Sequence, residues 1–171
     1  MKRISSFFLA GAVFATAGLV SAEPLAEGAD APGLTSVDHH GKEVDLGEEF
    51  AEGFSLVYFY PKADTPGCTK QACNLRDEFE KVSEAGIKVF GVSADTVEDQ
   101  KAFAEKFDIP FQLLADKKGE VIAAFGVPAN PRGFAARQSF LVKDGKIVWR
   151  DLKATPTTQA ADAIAAAKEN G

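Results

Sequence analysis

Residues 54–83 read FSLVYFYPKADTPGCTKQACNLRDEFEKVS, a strand signal running directly into a helix signal. Phe54–Tyr60 is a continuous apolar and aromatic run. That pattern fits a central strand buried on both faces. Pro61 stops it. After Thr65-Pro66-Gly67, the residues Cys68, Ala72, Leu75, Phe79 and Val82 recur at spacings of four, three, four and three, so they share one helical face. The spacing predicts a helix from about Gly67 to Ser83, ended by Gly86. Asp77, Glu78, Glu80 and Lys81 fall on its wet side.

Working outward, Ile87–Val92 reads as a second strand. Asp95 is a candidate N-cap for the next helix, with Glu98 placed for a capping box. That helix ends near Asp108, ahead of Pro110. Phe111–Ala115 is a third strand and Glu120–Phe125 a short helix. Gln138–Lys143 and Lys146–Arg150 flank Asp144-Gly145, a strong hairpin signal. Thr157–Lys168, behind Pro156, is an Ala-rich closing helix. On the N-terminal side, residues 23–33 read as a short leader. Leu34–Val37 and Glu43–Leu46 form a hairpin around Asp38-His39-His40-Gly41. The alternation of strands and helices predicts an α/β fold with a parallel-containing sheet covered by helices.

The 171 residues suffice for one domain with a real core. The net charge of −6 argues against nucleic acid and anionic membranes as partners. Lys2 and Arg3 precede an apolar stretch from Ile4 to Val20, and Val20-Ser21-Ala22 offers small residues at a cleavage site. Residues 1–22 are therefore expected to be a secretory signal, leaving residues 23–171 as an exported, periplasmic domain. An uncleaved anchor is the alternative, but Gly11, Ala15, Thr16 and Gly18 make a poor span, which needs ~20 strongly apolar residues.

There are two cysteines, Cys68 and Cys73. A structural bridge across so few residues would constrain the unfolded chain little, so a redox role is favoured. Cys68 opens a helix, where free amides and a partial positive charge favour a thiolate. An ordinary thiol, with pKa about 8.5, is only a few per cent ionised at neutral pH. In an intact helix the two Cα atoms would lie roughly 8–9 Å apart, beyond the ~7 Å reach of a disulfide. A bridge between them then requires local unwinding, which suits a catalytic cycle better than a permanent staple.

The run Tyr58-Phe59-Tyr60-Pro61-Lys62-Ala63-Asp64-Thr65-Pro66-Gly67-Cys68-Thr69-Lys70-Gln71-Ala72-Cys73 resembles the peroxiredoxin family, and within it the peroxiredoxin Q or bacterioferritin comigratory protein subfamily. Pro61, Thr65 and Cys68 match its Pro-x-x-x-Thr-x-x-Cys signature, and Cys73 matches the subfamily's resolving cysteine. Arg76-Asp77, Gly91–Asp95 and Arg137–Phe140 resemble further family segments, in order. The likeness covers about residues 28–169, but the segment between Val127 and Arg137 is not closely matched.

The resemblance implies a thioredoxin-like fold: a central mixed sheet flanked by helices, with the N-terminal β-hairpin. It implies a thiol peroxidase without metal or other cofactor, acting on hydrogen peroxide and organic hydroperoxides. Cys68 would be the peroxidatic nucleophile, and its sulfenic acid would be resolved by Cys73. Arg137 would keep Cys68 ionised and stabilise charge on the peroxide oxygens. Thr65 would present its hydroxyl to them, the Cys68 amide would add a donor, and Pro61 would shield the sulfur. Gln71 would orient Arg137, although a solvated helix position suits it equally. Thioredoxin or a thioredoxin-like dithiol would be the reductant. A monomer or weak homodimer without stable membrane association is expected.

A thioredoxin-type thiol–disulfide oxidoreductase is the alternative, but the Cys-x-x-Cys it needs is absent. His39 and His40 form a poor metal site for want of a third ligand nearby. Trp149 and the Phe residues are expected in packing.

Overall fold

The structure is a computed structural model and describes residues 23–171. The secretory signal expected over residues 1–22 lies outside the described residues.

The elements run in the order β1 (Thr35–Val37), β2 (Glu43–Asp45), α1 (Leu46–Phe50), β3 (Phe54–Phe59), α2 (Pro66–Asp77), α3 (Phe79–Glu84) and β4 (Ile87–Ser93). There follow α4 (Val97–Lys106), β5 (Gln112–Ala115), α5 (Glu120–Ala124), β6 (Gln138–Lys143), β7 (Lys146–Asp151) and α6 (Gln159–Glu169). The five-stranded sheet has the order β5-β4-β3-β6-β7. Strands β3, β4 and β5 are parallel, β6 pairs antiparallel with β3 and β7 antiparallel with β6, so the sheet is mixed as expected. The β1–β2 hairpin forms its own antiparallel pair.

The run read first is the middle strand. On one face of β3, Leu56 and Tyr58 pack with Ala72 and Leu75 of α2, Val82 of α3, Phe103 of α4 and Ala163 of α6. On the other, Val57 and Phe59 pack with Phe50 of α1, Val121 and Ile122 of α5 and Phe140 of β6. A strand covered on both sides has no polar alternation to show, which is why the run is unbroken. On β4, a Cβ on Gly91 would come within 2.6 Å of the Tyr58 hydroxyl and 2.7 Å of Leu113 Cδ2. Only glycine lets the Tyr58 ring lie across the neighbouring strand at that point.

Several expectations are corrected. The single helix from Gly67 to Ser83 is two, because Glu78 leaves helical geometry at φ −102°, ψ 12° and its N–H turns back to Asn74 O and Arg76 O. Phe79 and Val82 still reach the core, so the apolar spacing survives the break and hides it. Asp95 does not cap α4. Thr96 does, accepting from Asp99 N at 3.2 Å. The strand ending expected at Leu46 stops at Asp45, whose carboxylate accepts from Gly47 N at 2.8 Å and Glu48 N at 3.2 Å and starts the short helix α1. The leader is part of the fold. Gly28 N donates to Ile147 O at 2.7 Å, Ile147 N to Ala29 O at 2.9 Å and Ala31 N to Gly145 O at 2.8 Å. These bonds occupy the outer edge of β7, which would otherwise be an open edge strand. No helix of the described residues is long and apolar enough to cross a membrane.

Candidate active site

The site forms where β3 hands over to α2. Thr65 is the N-cap residue of α2 in extended geometry, and Pro66 follows at the first helical position, where a missing N–H costs nothing. The first helical bond of the segment is Thr69 N to Thr65 O at 2.8 Å. The Thr65 side chain does not cap the helix; its hydroxyl donates to Lys62 O at 2.9 Å. The amides of Gly67 and Cys68 thus stand in the first turn without a helical acceptor, at the positive end of the helix.

Cys68 is buried at 2% exposure, in the cluster that holds Tyr58, Tyr60, Ala63 and Ala72. Arg137, just ahead of β6, lies 69 residues away and donates from Nη2 to Cys68 Sγ at 3.3 Å. Its Nη1 donates to Gln71 Oε1. Gly67 makes room for this approach, since a Cβ there would lie 3.1 Å from Arg137 Nη2. Gln71 is fully buried, so the solvated alternative for it is set aside. Cys73 is half-buried on the same helix, and both cysteines are free thiols. Pro61, half-buried, lines a shallow depression with Pro128, Ala129, Phe134 and Ala136. Cys68, Arg137 and Gln71 therefore come together, Thr65 and Pro61 frame the loop before them, and Cys73 stands apart.

Sequence reasoning missed the scaffold of that loop. Asp95 accepts from Ala63 N at 2.7 Å and Ser93 Oγ at 2.6 Å, and pairs with Lys62 at 3.2 Å. Gln100 Nε2 donates to Ser93 Oγ and to Leu114 O, each at 2.9 Å, and Gln100 Oε1 takes the Tyr60 hydroxyl at 2.5 Å. Burial pushes the Tyr60 phenol well above the usual range, so it stays a donor. Burial likewise keeps the Tyr58 phenol protonated. A signal existed: an acid directly after the apolar strand Ile87–Ser93 has to find donors of its own. Arg137 is carried by a turn in which Asn130 Oδ1 accepts from Arg132 N at 2.9 Å and Phe134 N at 3.1 Å. His39 is structural. Its Nδ1 accepts from Leu113 N at 3.2 Å, and burial lowers its pKa, as an acceptor nitrogen requires.

The chain as a whole is similar to known proteins. The family model described as AhpC/TSA family matches residues 28–150. The chain belongs to the AhpC/TSA family. Within that family it groups with the peroxiredoxin Q and bacterioferritin comigratory proteins. A chloroplastic peroxiredoxin Q of Sedum lineare is 41% identical over 71% of this chain and 66% of its own length. That of Arabidopsis thaliana is 38% identical over 85% of this chain and 63% of its own. Among solved structures, the peroxidoxin BcpB of Mycobacterium tuberculosis superposes with a TM-score of 0.78 at 30% identity, over 84% of this chain and 96% of that one. A Xanthomonas campestris bacterioferritin comigratory protein, solved with trapped intermediate and ligand complexes and described for its alkyl peroxide reduction activity, gives 0.72 at 27% identity, over 80% and 91%. The chain spans 55–66% of the length of the curated relatives it matches.

The names of those relatives overturn the expectation of a periplasmic protein: they are chloroplastic. Of the features read as an export signal, the basic start at Lys2 and Arg3 is shared by organelle-targeting segments and does not separate the two.

Proposed function

We propose that this chain is a two-cysteine thiol peroxidase. The Cys68 thiolate attacks one oxygen of a peroxide. The S–O bond forms as the O–O bond breaks, and the departing oxygen takes a proton and leaves as water or an alcohol. Arg137 holds the thiolate and meets the charge that develops on the departing oxygen, together with the amides of Gly67 and Cys68. The first turns of α2 then unwind. Cys73 attacks the sulfenic sulfur, an S–S bond forms and water leaves. An external dithiol of thioredoxin type returns two electrons and two protons.

The observation that carries this reading is the guanidinium at 3.3 Å from a buried sulfur in a helix's first turn. An inert core thiol needs no cation beside it, and even the partial desolvation of a half-buried guanidinium is costly unless something negative repays it. The alkyl peroxide reduction named for the Xanthomonas relative supports organic hydroperoxides as substrates beside hydrogen peroxide. A thioredoxin-type oxidoreductase is not favoured, because its attacking and resolving sulfurs sit one helical turn apart and these do not.

The test is stopped-flow mixing of the reduced chain with equimolar peroxide, followed by mass analysis of both cysteines. The expected outcome is rapid peroxide loss and a Cys68–Cys73 disulfide. Cys68→Ser abolishes consumption, and Cys73→Ser allows one turnover that stops at sulfenic acid. Normal turnover by Cys68→Ser refutes the mechanism.

A further inference from the structure

Behind Arg137 lies a buried chain of polar groups that the reaction scheme above does not use. Gln71 Nε2 donates to Gln159 Oε1 at 2.7 Å, and Ser139 Oγ donates to the same oxygen at 2.8 Å. Gln159 opens α6 and is 1% exposed; Ser139 and Gln71 are fully buried. The directions of these bonds are forced. A guanidinium has only donors, so Gln71 must turn its oxygen to Arg137. The Gln71 NH2 then faces Gln159, which must answer with its own oxygen. With that oxygen fixed as an acceptor, the Ser139 hydroxyl donates to it.

We infer that Gln159 is a positioning residue for the chemistry at Cys68: by accepting from Gln71 it holds the Gln71 amide with its oxygen toward Arg137, and so aims the guanidinium at the sulfur. Without an acceptor at residue 159, a buried Gln71 NH2 has no partner. Nothing then opposes rotation of the amide, which would set its NH2 against the guanidinium, donor against donor. Arg137 would then lose one of the two contacts that fix its plane. Ser139, the second residue of β6, supplies the second donor that pins the Gln159 oxygen. The relay thus ties the reacting sulfur to the last helix of the chain, 88 residues from Gln71. It rests on the peroxidase reading for the reaction it serves, but its effect is read at the thiol itself.

The experiment uses the full chain carrying Cys73→Ser, so that Cys68 alone reacts. Its probe is iodoacetamide, with alkylation rates taken across pH. Gln159→Met keeps side-chain length and removes the acceptor. It moves the pH–rate profile to higher pH by about half a unit, a loss of about threefold in rate on the acid limb of the profile. Gln159→Asn keeps an amide but withdraws its oxygen by one carbon; it shifts the profile in the same direction and stands in should the first variant not fold. Gln71→Met shifts the profile at least as far, and adding Gln159→Met to it changes nothing further, because one residue acts through the other. A profile unmoved by both Gln159 variants, or full additivity with Gln71→Met, overturns the relay. A shifted profile in a chain whose wild type consumes no peroxide supports the relay and refutes the peroxidase reading instead.

Discussion

At the scale of single residues, the site turns on a guanidinium lying close to a sulfur that water hardly reaches. A charge-assisted bond of this kind is roughly twice as strong as a neutral one, and its value rises in a water-poor cleft. Replacing Arg137 by Ala removes the cation and leaves Gln71 Oε1 without its donor, so the rate of peroxide consumption falls by about 100-fold, the order found when one preorganised donor is lost. A subtler variant separates presence from aim. Gly67→Ala retains Arg137 but puts a Cβ at 3.1 Å from Nη2, tighter than ordinary contact. The guanidinium is the far end of a flexible side chain and gives way, drifting from the sulfur. The expected cost is about tenfold in rate with little loss of stability, because misplacement by a fraction of an ångström suffices. Stopped-flow rates beside thermal unfolding of the same samples check it. A Gly67→Ala chain that reacts as fast as wild type would show that the contact at Nη2 does not set the rate.

At the scale of elements, the proposed resolution step requires α2 to come apart, and α2 is tied down from α6. Asn74 Oδ1 accepts from Ala160 N at 3.0 Å, so a side chain of α2 caps the first turn of α6, whose own N-cap residue Thr158 makes no side-chain bond to the helix amides. Gln71 and Asn74, three apart on one face of α2, make the two contacts. Losing a cap costs about 1 kcal/mol, near a fivefold change in an equilibrium. Asn74→Ala should therefore raise the unwound fraction of α2 and speed disulfide formation after oxidation by roughly that factor. Under excess peroxide it should accumulate less sulfinic acid at Cys68, because resolution competes with further oxidation. Mass analysis of Cys68 across a peroxide titration reads the ratio; more sulfinic acid in the variant than in wild type would contradict the clamp. The same element shows what the sequence could and could not disclose. The apolar spacing from Cys68 to Val82 located α2 and its buried face, but periodicity does not register a one-residue break at Glu78 that both flanking segments obey. Arg137 was legible through its resemblance to a family segment and Gln71 only through its place in the motif. Gln159 was passed over inside an Ala-rich helix, although a glutamine in register with the buried Ala163, Ala166 and Ala167 is a polar group on an apolar face. Asp95 was taken for a helix cap because the residue after it offers the same chemistry, and only the fold decides which of two adjacent oxygens meets the amide.

At the scale of the whole molecule, the two redox states should differ in stability in the direction opposite to that of an ordinary crosslink. A bridge closing so small a loop constrains the unfolded chain by about 2 kcal/mol on the loop-entropy account. Against this, the bridge is out of reach while α2 is intact, and unwinding its first turns withdraws Cys68, Gln71 and Ala72 from a face packed on β3 and α6. Gln71, Gln159 and Arg137 then lose partners they hold only in the reduced form, and a buried polar group left unmet costs about 1–3 kcal/mol. Three such groups outweigh the constraint unless water reaches them all. The disulfide form is thus expected to unfold at a temperature about 5 °C lower than the dithiol form, on a scale of a few degrees per kcal/mol for a domain of this size. Calorimetry of the chain after stoichiometric peroxide, beside the same chain held in dithiothreitol, makes the comparison. A higher unfolding temperature for the oxidised chain would mean that the bridge forms without dismantling α2, and the geometric case for unwinding would fall with it. A lower one would tie the step to a fold that stores its reduced state as the more stable, leaving the oxidised chain open to the reductant that must reach Cys73.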